Sequence, residues 1–170
     1  IAERMQSQVR GMNVAVRNAN DAISMAQTAE GAIGKVGDML QRMRELAVQS
    51  ANATNSADDR SNLNSEFKEL KAEISRTITA TKFNGKAVLS SDAGTLTFQV
   101  GANTDDKVDI VTTNMNSNSD ISAVTVSTST ISDVSSARTA MDNIDKALTK
   151  VNTERALYGA SQNRFETIIS

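Results

Sequence analysis

The chain has 170 residues, contains no His, Cys, Trp or Pro, and carries a formal net charge of -2 at pH 7. Without His there is no general base that titrates near neutral pH, and without Cys there is no thiolate nucleophile or thiolate metal ligand. We therefore expect neither an enzyme nor a bound cofactor. The absence of a basic surplus and the 3% content of aromatic residues also disfavour nucleic acid as a partner.

Composition also bears on shape. Hydrophobic residues make up 39% of the chain but few are aromatic, so the core must consist of Ile, Leu, Val, Met and Ala. Such a thin core suits one elongated domain. No apolar run is long enough to cross a bilayer, and the opening IAERMQSQVR lacks the apolar block of a signal peptide. Both ends interrupt an apolar rhythm without capping residues, so we expect a core fragment of a longer protein.

Residues 1–52 are predicted to form one long helix. Apolar residues recur three and four positions apart, which places them on one side of a helix about 75 Å long. In its second half this side comprises Ile33, Val36, Leu40, Met43 and Ala47. The glycines at positions 31, 34 and 37 weaken the prediction, because each interior Gly costs about 0.5 to 1 kcal/mol relative to Ala. The helix therefore needs a neighbour, and close approach of that neighbour is one use for the glycines.

The opposite side of this helix is polar. Its members, which we call the polar stripe, are Asp38, Gln41, Arg42, Glu45, Gln49 and Asn52. A polar helix face is most often simply solvated, and Arg42 and Glu45 are spaced to pair with each other. The same side chains also present donors and acceptors to a partner.

A second helix is predicted over residues 56–80. Residues 52–55 break the rhythm, and Ser56 followed three positions later by Asp59 is a typical N-terminal cap. Negative charge at Asp58 and Asp59 favours a helix start, so capping explains this pair without catalysis. The apolar stripe of the second helix, which should fold it back on the first, is Leu63, Phe67, Leu70, Ile74 and Ile78.

Residues 83–130 are predicted to form a small β region. Phe83-Asn84-Gly85 indicates a turn, and the segment 95–100 alternates with period two. Residues 107–111 and 123–126 are the other predicted strands. The Ser-, Thr- and Asn-rich connection between them shows no obvious core, so we expect mobile loops and a polar linker over residues 111–132.

Helical spacing returns over residues 132–170. The apolar positions are Val134, Ala137, Met141, Ile144, Leu148, Val151, Tyr158 and Phe165. This seam matches that of the first helix, so the two long helices should pack side by side. The predicted fold class is mainly α with a small β region: an elongated antiparallel helical bundle capped by β-hairpin elements.

Several segments together resemble one known family. They are VRNANDAIS at 16–24, QTAEGA at 27–32, LQRMRELAVQSANATNS at 40–56, FNGK at 83–86, FQVGAN at 98–103, IDKAL at 144–148 and GASQNRF at 159–165. In this order they are similar to bacterial flagellin, the filament subunit, over nearly the whole chain. The resemblance implies that residues 1–170 form a single inner rod domain, with the terminal segments of the family removed. It also implies that the large outer domains of many flagellins are replaced by a short linker.

The resemblance further implies partners and a location. A flagellin is a structural subunit that leaves the cell through the flagellar export channel and self-assembles in the extracellular flagellum. Its partners would be other flagellin subunits, an export chaperone, cap proteins and the flagellin-sensing Toll-like receptor of animal hosts. The residues that match the family's contact pattern, for subunits or for the receptor, are Gln41, Arg42, Glu45, Leu46, Gln49 and Glu66.

Other interpretations stay open at this point. A hook-filament junction protein has a similar architecture, although LQRMRELAVQSAN and FNGK look more like the filament subunit. A surface module that binds polysaccharide or Ca²⁺ is favoured by Asp105, Asp106 and Asp109, but their spacing is not that of an EF-hand and aromatic residues to stack on sugars are scarce. An enzyme would need two close carboxylates in a deep pocket.

Two sequence features are typical of glycosylation. Residues 52–54, Asn-Ala-Thr, match an N-linked acceptor that is frequent by chance. The Ser and Thr residues between 112 and 132 are candidate O-linked acceptors and are equally typical of a flexible linker. The residues alone do not decide between these readings.

Overall fold

The computed structural model describes all 170 residues. The elements in chain order are α1 (Ala2–Ser50), α2 (Ala57–Ala80), β1 (Thr95–Gln99), β2 (Lys107–Val111), α3 (Ser119–Thr125) and α4 (Val134–Ile169). The predicted fold class, mainly helical with a small β region, is confirmed. At 49 residues, α1 is about 73 Å long at the usual rise of an α-helix. No helix combines the length and the apolar character needed to span a bilayer.

The two long helices pack against each other over most of their length. Arg44 near the end of α1 pairs with Asp145 near the start of α4 at 2.7 Å. Towards the other end of α4, the Gln162 amide donates to Glu30 on α1 at 2.6 Å. The pairing is therefore antiparallel. We call the apolar contact between them the seam; its buried members include Ala19, Ala22, Ala26, Ala29, Ile33, Val36 and Leu40 on α1, and Ala137, Ala140, Ile144, Ala147, Val151 and Tyr158 on α4.

One of the three central glycines has the role expected of it. A Cβ added at Gly37 would come within 3.2 Å of a Val151 methyl, so this glycine lets α4 approach α1 closely. Gly31 meets nothing within 4 Å, and the contacts of this chain give no reason for it.

The reversal between α1 and α2 is closed by local hydrogen bonds. The Ser56 hydroxyl accepts from the Asp59 N–H at 3.0 Å, and the Asp59 carboxylate accepts from the Ser56 N–H at 2.9 Å. This is the reciprocal cap that the spacing predicts. Arg60 reaches back from α2 and donates to the carbonyl oxygens of Ser50 and Asn52, both at 2.9 Å. Since the last carbonyls of α1 lack helical partners, Arg60 stabilises that helix end.

The strands β1 and β2 form an antiparallel hairpin. Thr95 pairs with Val111 at one end and Gln99 with Lys107 at the other, which confirms the first two predicted strands. The hairpin lies on the helices through Phe98, whose ring meets that of Phe165 edge-on with centroids 5.7 Å apart.

The third predicted strand, over residues 123–126, is wrong. Residues 119–125 form the short helix α3, because the Asn118 side chain accepts from the N–H groups of Asp120 and Ile121 and starts a helical turn. The helix buries Ile121 and Val124 on one side, and this packing outweighs the strand propensity of Ala-Val-Thr-Val.

The connection from β2 to α4, residues 112–133, is also more than a polar linker. It contributes Met115, Ile121, Val124 and Ile131 to the core, so the expectation of a coreless segment is wrong. Polar side chains of α1 and α2 hold its backbone. Lys71 donates to the carbonyls of Val126 at 2.8 Å and Ser129 at 2.6 Å.

Two further side chains hold the same segment. The Asn64 carbonyl accepts from the Ile131 N–H at 3.0 Å, and the Ser50 hydroxyl donates to the Ile131 carbonyl. Both side chains are buried, which strengthens each bond by excluding competing water.

Candidate interaction surface

The polar stripe lies on the exposed side of α1, beside α2. Gln41, Arg42, Glu45 and Gln49 are all exposed, and Glu66 on α2 lies next to them. Arg42 connects the two helices: it donates to both Glu66 oxygens, at 3.1 and 2.9 Å, and to Glu45 at 3.1 Å. The structure thus brings together three of the six predicted contact residues as one ion-pair network.

This network orders a surface and adds little to the stability of the fold. The hydrogen bonds that Arg42 donates to Glu66, and then the one that it donates to Glu45, raise the pKa of Arg42, but its side chain stays half exposed. Exposed pairs are screened by water and salt, so their energetic contribution is small. Their effect is to hold three long side chains in one arrangement that a partner would meet.

Leu46 is buried in this chain, unlike the other five residues of the predicted contact set. Only 1% of the residue is exposed, because it lies three positions after Met43 on the apolar side of α1. It is part of the hydrophobic core that lies below the polar stripe.

Val48 is the residue of this surface that sequence reasoning missed. It is 46% exposed and lines a shallow groove of about 350 Å³ together with Gln41, Arg44, Glu45 and Gln49. The three-four rhythm, which ends at Ala47, leaves out Val48, but it also leaves out the buried Leu46, so the spacing alone does not assign Val48 to the surface. An exposed apolar residue flanked by two glutamines and two charges combines a contact area with directional hydrogen bonding.

The groove has a fixed wall. Arg44 pairs with Asp145 of α4, and this hydrogen bond holds the pKa of the Asp145 carboxyl below its ordinary value. The surface therefore rests on three helices: the Arg42 network ties α1 to α2, and the Arg44 pair ties α1 to α4.

A second polar group of side chains lies inside the molecule and was not predicted. Glu154, with a side chain 2% exposed, accepts from the Thr113 hydroxyl at 2.9 Å and pairs with Lys150 at 3.0 Å. Its other oxygen and the nearby Tyr158 hydroxyl are buried without partners. Burial, and next the charge of Glu154, raise the pKa of Tyr158, so the phenol keeps its proton. The cluster attaches the segment after β2 to α4.

Asp106 and Asp109 of the hairpin region accept hydrogen bonds from different partners. Asp106 accepts from the Asn103 N–H at 3.0 Å, and Asp109 accepts from the Thr97 hydroxyl at 2.7 Å. No three acidic, His or Cys side chains converge as a metal site would require. The Asp106 oxygen therefore caps a turn and the Asp109 oxygen bridges two strands, and this arrangement adds no support to the Ca²⁺ interpretation.

The fold and its surface define the class of protein as an elongated helical rod, with a continuous apolar seam inside and ordered polar side chains outside. Comparison with known proteins then gives the family. Residues 1–93 match the family described as the bacterial flagellin N-terminal helical region. Flagellin of Halalkalibacterium halodurans is 43% identical over 171 residues, covering 99% of this chain and 61% of that protein. The chain belongs to the bacterial flagellin family.

Solved structures agree. The crystal structure of Bacillus cereus flagellin superposes with a TM-score of 0.81 at 31% identity, covering 91% of this chain and 87% of that one. A putative flagellar hook-associated protein from Vibrio parahaemolyticus superposes with a TM-score of 0.76 at 13% identity, covering 94% of this chain and 84% of that one, and shows a shared fold alone. The expected resemblance to flagellin is confirmed. The chain spans about three fifths of the length of its Halalkalibacterium relative.

Proposed function

We propose that this chain is the rod part of a structural subunit of the bacterial flagellar filament, located outside the cell and acting by self-assembly. Membership of the flagellin family supports this role. The structure supports treating residues 1–170 as a single inner rod domain, because one apolar cluster of 29 buried residues runs through the helices and the hairpin region.

The observation that carries the proposal is an exposed apolar stripe at the start of α1. Ile1, Met5, Val9, Met12 and Val16 recur three and four positions apart and are between 38% and 101% exposed. A row of large apolar side chains in water is a typical contact surface. In a homopolymer every copy has the same neighbours, so one such stripe is covered in each subunit.

Polymerisation on filament seeds tests this role. Because the Halalkalibacterium relative is longer, the assay compares the 170-residue chain with a chimaera that adds the terminal segments of that flagellin. Light scattering and electron microscopy should show filaments from the chimaera. Val9→Asp should abolish growth, while the matched Val14→Asp, at a residue 47% exposed but on another side of α1, should permit it.

The same assay distinguishes a filament subunit from the second candidate, a hook-filament junction protein. A hook-filament junction protein would bind filament ends without growing into long filaments, and the Vibrio hook-associated fold makes this the appropriate rival. Failure of the chimaera to elongate seeds, or equal growth by the two Asp variants, would contradict a filament subunit that assembles through this stripe.

We also propose that the polar surface is a ligand for the flagellin-sensing Toll-like receptor. Gln41, Arg42, Glu45, Gln49 and Glu66 are exposed, and the Arg42 network holds three of them in one arrangement. Cells that carry the receptor and a reporter should lose response to Arg42→Ala. Arg138→Ala, at an exposed arginine on α4, is the matched control. An unchanged response to Arg42→Ala would contradict this assignment.

Secretion through the flagellar export channel, with an export chaperone and cap proteins as partners, completes the proposal. The chain has no disulfide to break before it is threaded unfolded. Expression in a bacterium with and without a functional export apparatus tests this directly. Appearance of the chain in the medium of both strains would contradict it.

A further inference from the structure

The turn after α2 has an unusual backbone and an exposed tip. Asn84 and Gly85 have φ values of 51° and 79°, in the left-handed region. Phe83 and Lys86 close the turn, with hydrogen bonds in both directions at 2.9 and 3.0 Å. Positive φ at both central residues of a two-residue turn is the reason Asn-Gly is favoured there.

Asn84 differs from the other asparagines that precede a small residue. Asn-Gly occurs once in the chain, and Asn-Ser occurs four times, starting at Asn55, Asn64, Asn116 and Asn118. All four of those side chains are hydrogen-bonded, to the Gln49 carbonyl, the Ile131 N–H, the Thr79 hydroxyl and the Asp120 N–H respectively. Asn84 is exposed and its amide enters no such bond.

We propose that Asn84 is a site of spontaneous deamidation. The backbone nitrogen of Gly85 attacks Cγ of Asn84; an N–Cγ bond forms, the Cγ–Nδ2 bond breaks, and the amide nitrogen leaves as ammonia with the proton from Gly85. One water then opens the cyclic imide at either carbonyl and leaves Asp or isoaspartate. The reaction needs only water, and Gly85 offers little hindrance, since even a Cβ there would meet nothing within 4 Å.

The turn itself sets the rate of this reaction. Attack needs the Gly85 nitrogen to align with Cγ of Asn84, and breaking the two Phe83–Lys86 hydrogen bonds gives the backbone the freedom to do so. An exposed turn with two such bonds opens locally, without unfolding the rod. The four Asn-Ser sites must also release a side-chain hydrogen bond, and their serine hinders the attack.

The two products differ in their effect on the fold. Asp tolerates the left-handed conformation, so the Asp product keeps the turn. Isoaspartate adds a methylene to the backbone and breaks the pairing of Phe83 with Lys86. Ala87, Val88 and Leu89, which are buried, follow directly, so the isoaspartate form should loosen their attachment. Both products make the net charge one unit more negative than -2.

The test is ageing of the purified chain at neutral pH and physiological temperature, with peptide mapping by mass spectrometry and enzymatic detection of isoaspartate. We expect conversion to concentrate at residue 84, with both products present and the four Asn-Ser sites intact. Asn84→Gln, whose longer side chain forms the ring poorly, should abolish the signal and create no new site.

A parallel sample in denaturant separates intrinsic reactivity from protection by the fold. If residue 84 stays an amide in the folded chain while the denatured chain converts, the turn protects it and the proposal is wrong. Conversion of any Asn-Ser site in the folded chain as fast as residue 84 would also overturn it.

Discussion

The seam between α1 and α4 and the connection over residues 112–133 share one core but differ in what holds their backbone. The seam consists of apolar side chains at regular spacing, which bury each other. The connection is rich in Ser, Thr and Asn, and polar side chains of distant helices hold its backbone, notably Ser50, Asn64 and Lys71. Both regions remove apolar surface from water, but the connection, whose backbone is largely irregular, depends in addition on a few buried hydrogen bonds.

The difference between the seam and the connection explains which features the sequence pattern predicts. Apolar spacing is local, because a helix repeats it every turn whatever the partner is. A side chain that binds a backbone group 55 or 67 residues away, as Lys71 and Asn64 do, leaves no period in the sequence. Burial lowers the pKa of Lys71 below its ordinary value, because the ammonium loses water where it donates to the carbonyls of Val126 and Ser129.

The largest loss of stability is expected from a substitution in the seam. Leu40→Ala should lower the free energy of unfolding by about 2 to 5 kcal/mol, because it removes a fully buried side chain and leaves a cavity. Leu157→Ala, the same substitution at a residue 51% exposed, should change it by no more than about 0.5 kcal/mol. Urea unfolding followed by circular dichroism gives both values; equal losses would show that the faces are misassigned.

A smaller loss of stability is expected when a hydrogen bond that holds the connection is removed. Asn64→Ala should cost about 1 to 3 kcal/mol, because the buried Ile131 N–H loses its acceptor. The neighbouring Asn62→Ala, at an exposed position, is the matched control. Hydrogen exchange should show faster exchange of the Ile131 amide in the first variant only. Unaltered exchange there would mean that Asn64 does not hold the connection.

Acid should weaken the start of α4, where the connection ends and the helix of the seam begins. Hydrogen bonds from the Ser136 N–H and hydroxyl hold the pKa of Asp133, the N-cap of α4, below its ordinary value. This contribution is present above the unfolded pKa of about 3.9 and is lost as the pH falls through the folded value. Asp133→Asn keeps a good cap without titrating, so its melting temperature should fall less on acidification than that of the parent. Identical acid profiles would rule out this contribution.

The smallest effect concerns the polar surface. Arg42→Ala should leave the melting temperature unchanged, because Arg42 and its two carboxylate partners are exposed. A clear fall in the melting temperature, measured by calorimetry, would show that the Arg42 network supports the fold of α1 on α2.

Much of the rod could be predicted from the sequence. The three-four spacing predicted both long helices and their seam, Ser56 and Asp59 predicted the cap of α2, and period two predicted the hairpin strands. Each of these signals lies within a few residues of the feature it forms. The helix ends moved by about two residues, as is usual where helices fray.

The wrong or missing predictions concern residues whose burial or partners are set by the folded chain. Ala-Val-Thr-Val predicts a strand where α3 forms instead, because the Asn118 cap and the burial of Ile121 and Val124 favour the helix. At the candidate surface, Leu46 is buried and Val48 is exposed. The spacing did not predict this, because a single apolar residue next to the seam can lie on either side of the helix. The buried Glu154 was missed because Thr113 and Lys150 meet it only after folding.

The pairing of α1 with α4 also governs when the rod can form. Arg44 and Asp145 are 101 residues apart and Glu30 and Gln162 are 132 apart, so the contacts that close the seam join opposite ends of the chain. Contacts of such high sequence separation form late and slow a folding reaction. A chain delivered from its N-terminus therefore presents α1 and α2 with an open apolar side until α4 arrives. Folding of the rod is therefore completed only with the last fifth of the chain, the 36 residues of α4, and until then the open apolar side is exposed to other molecules and to proteases.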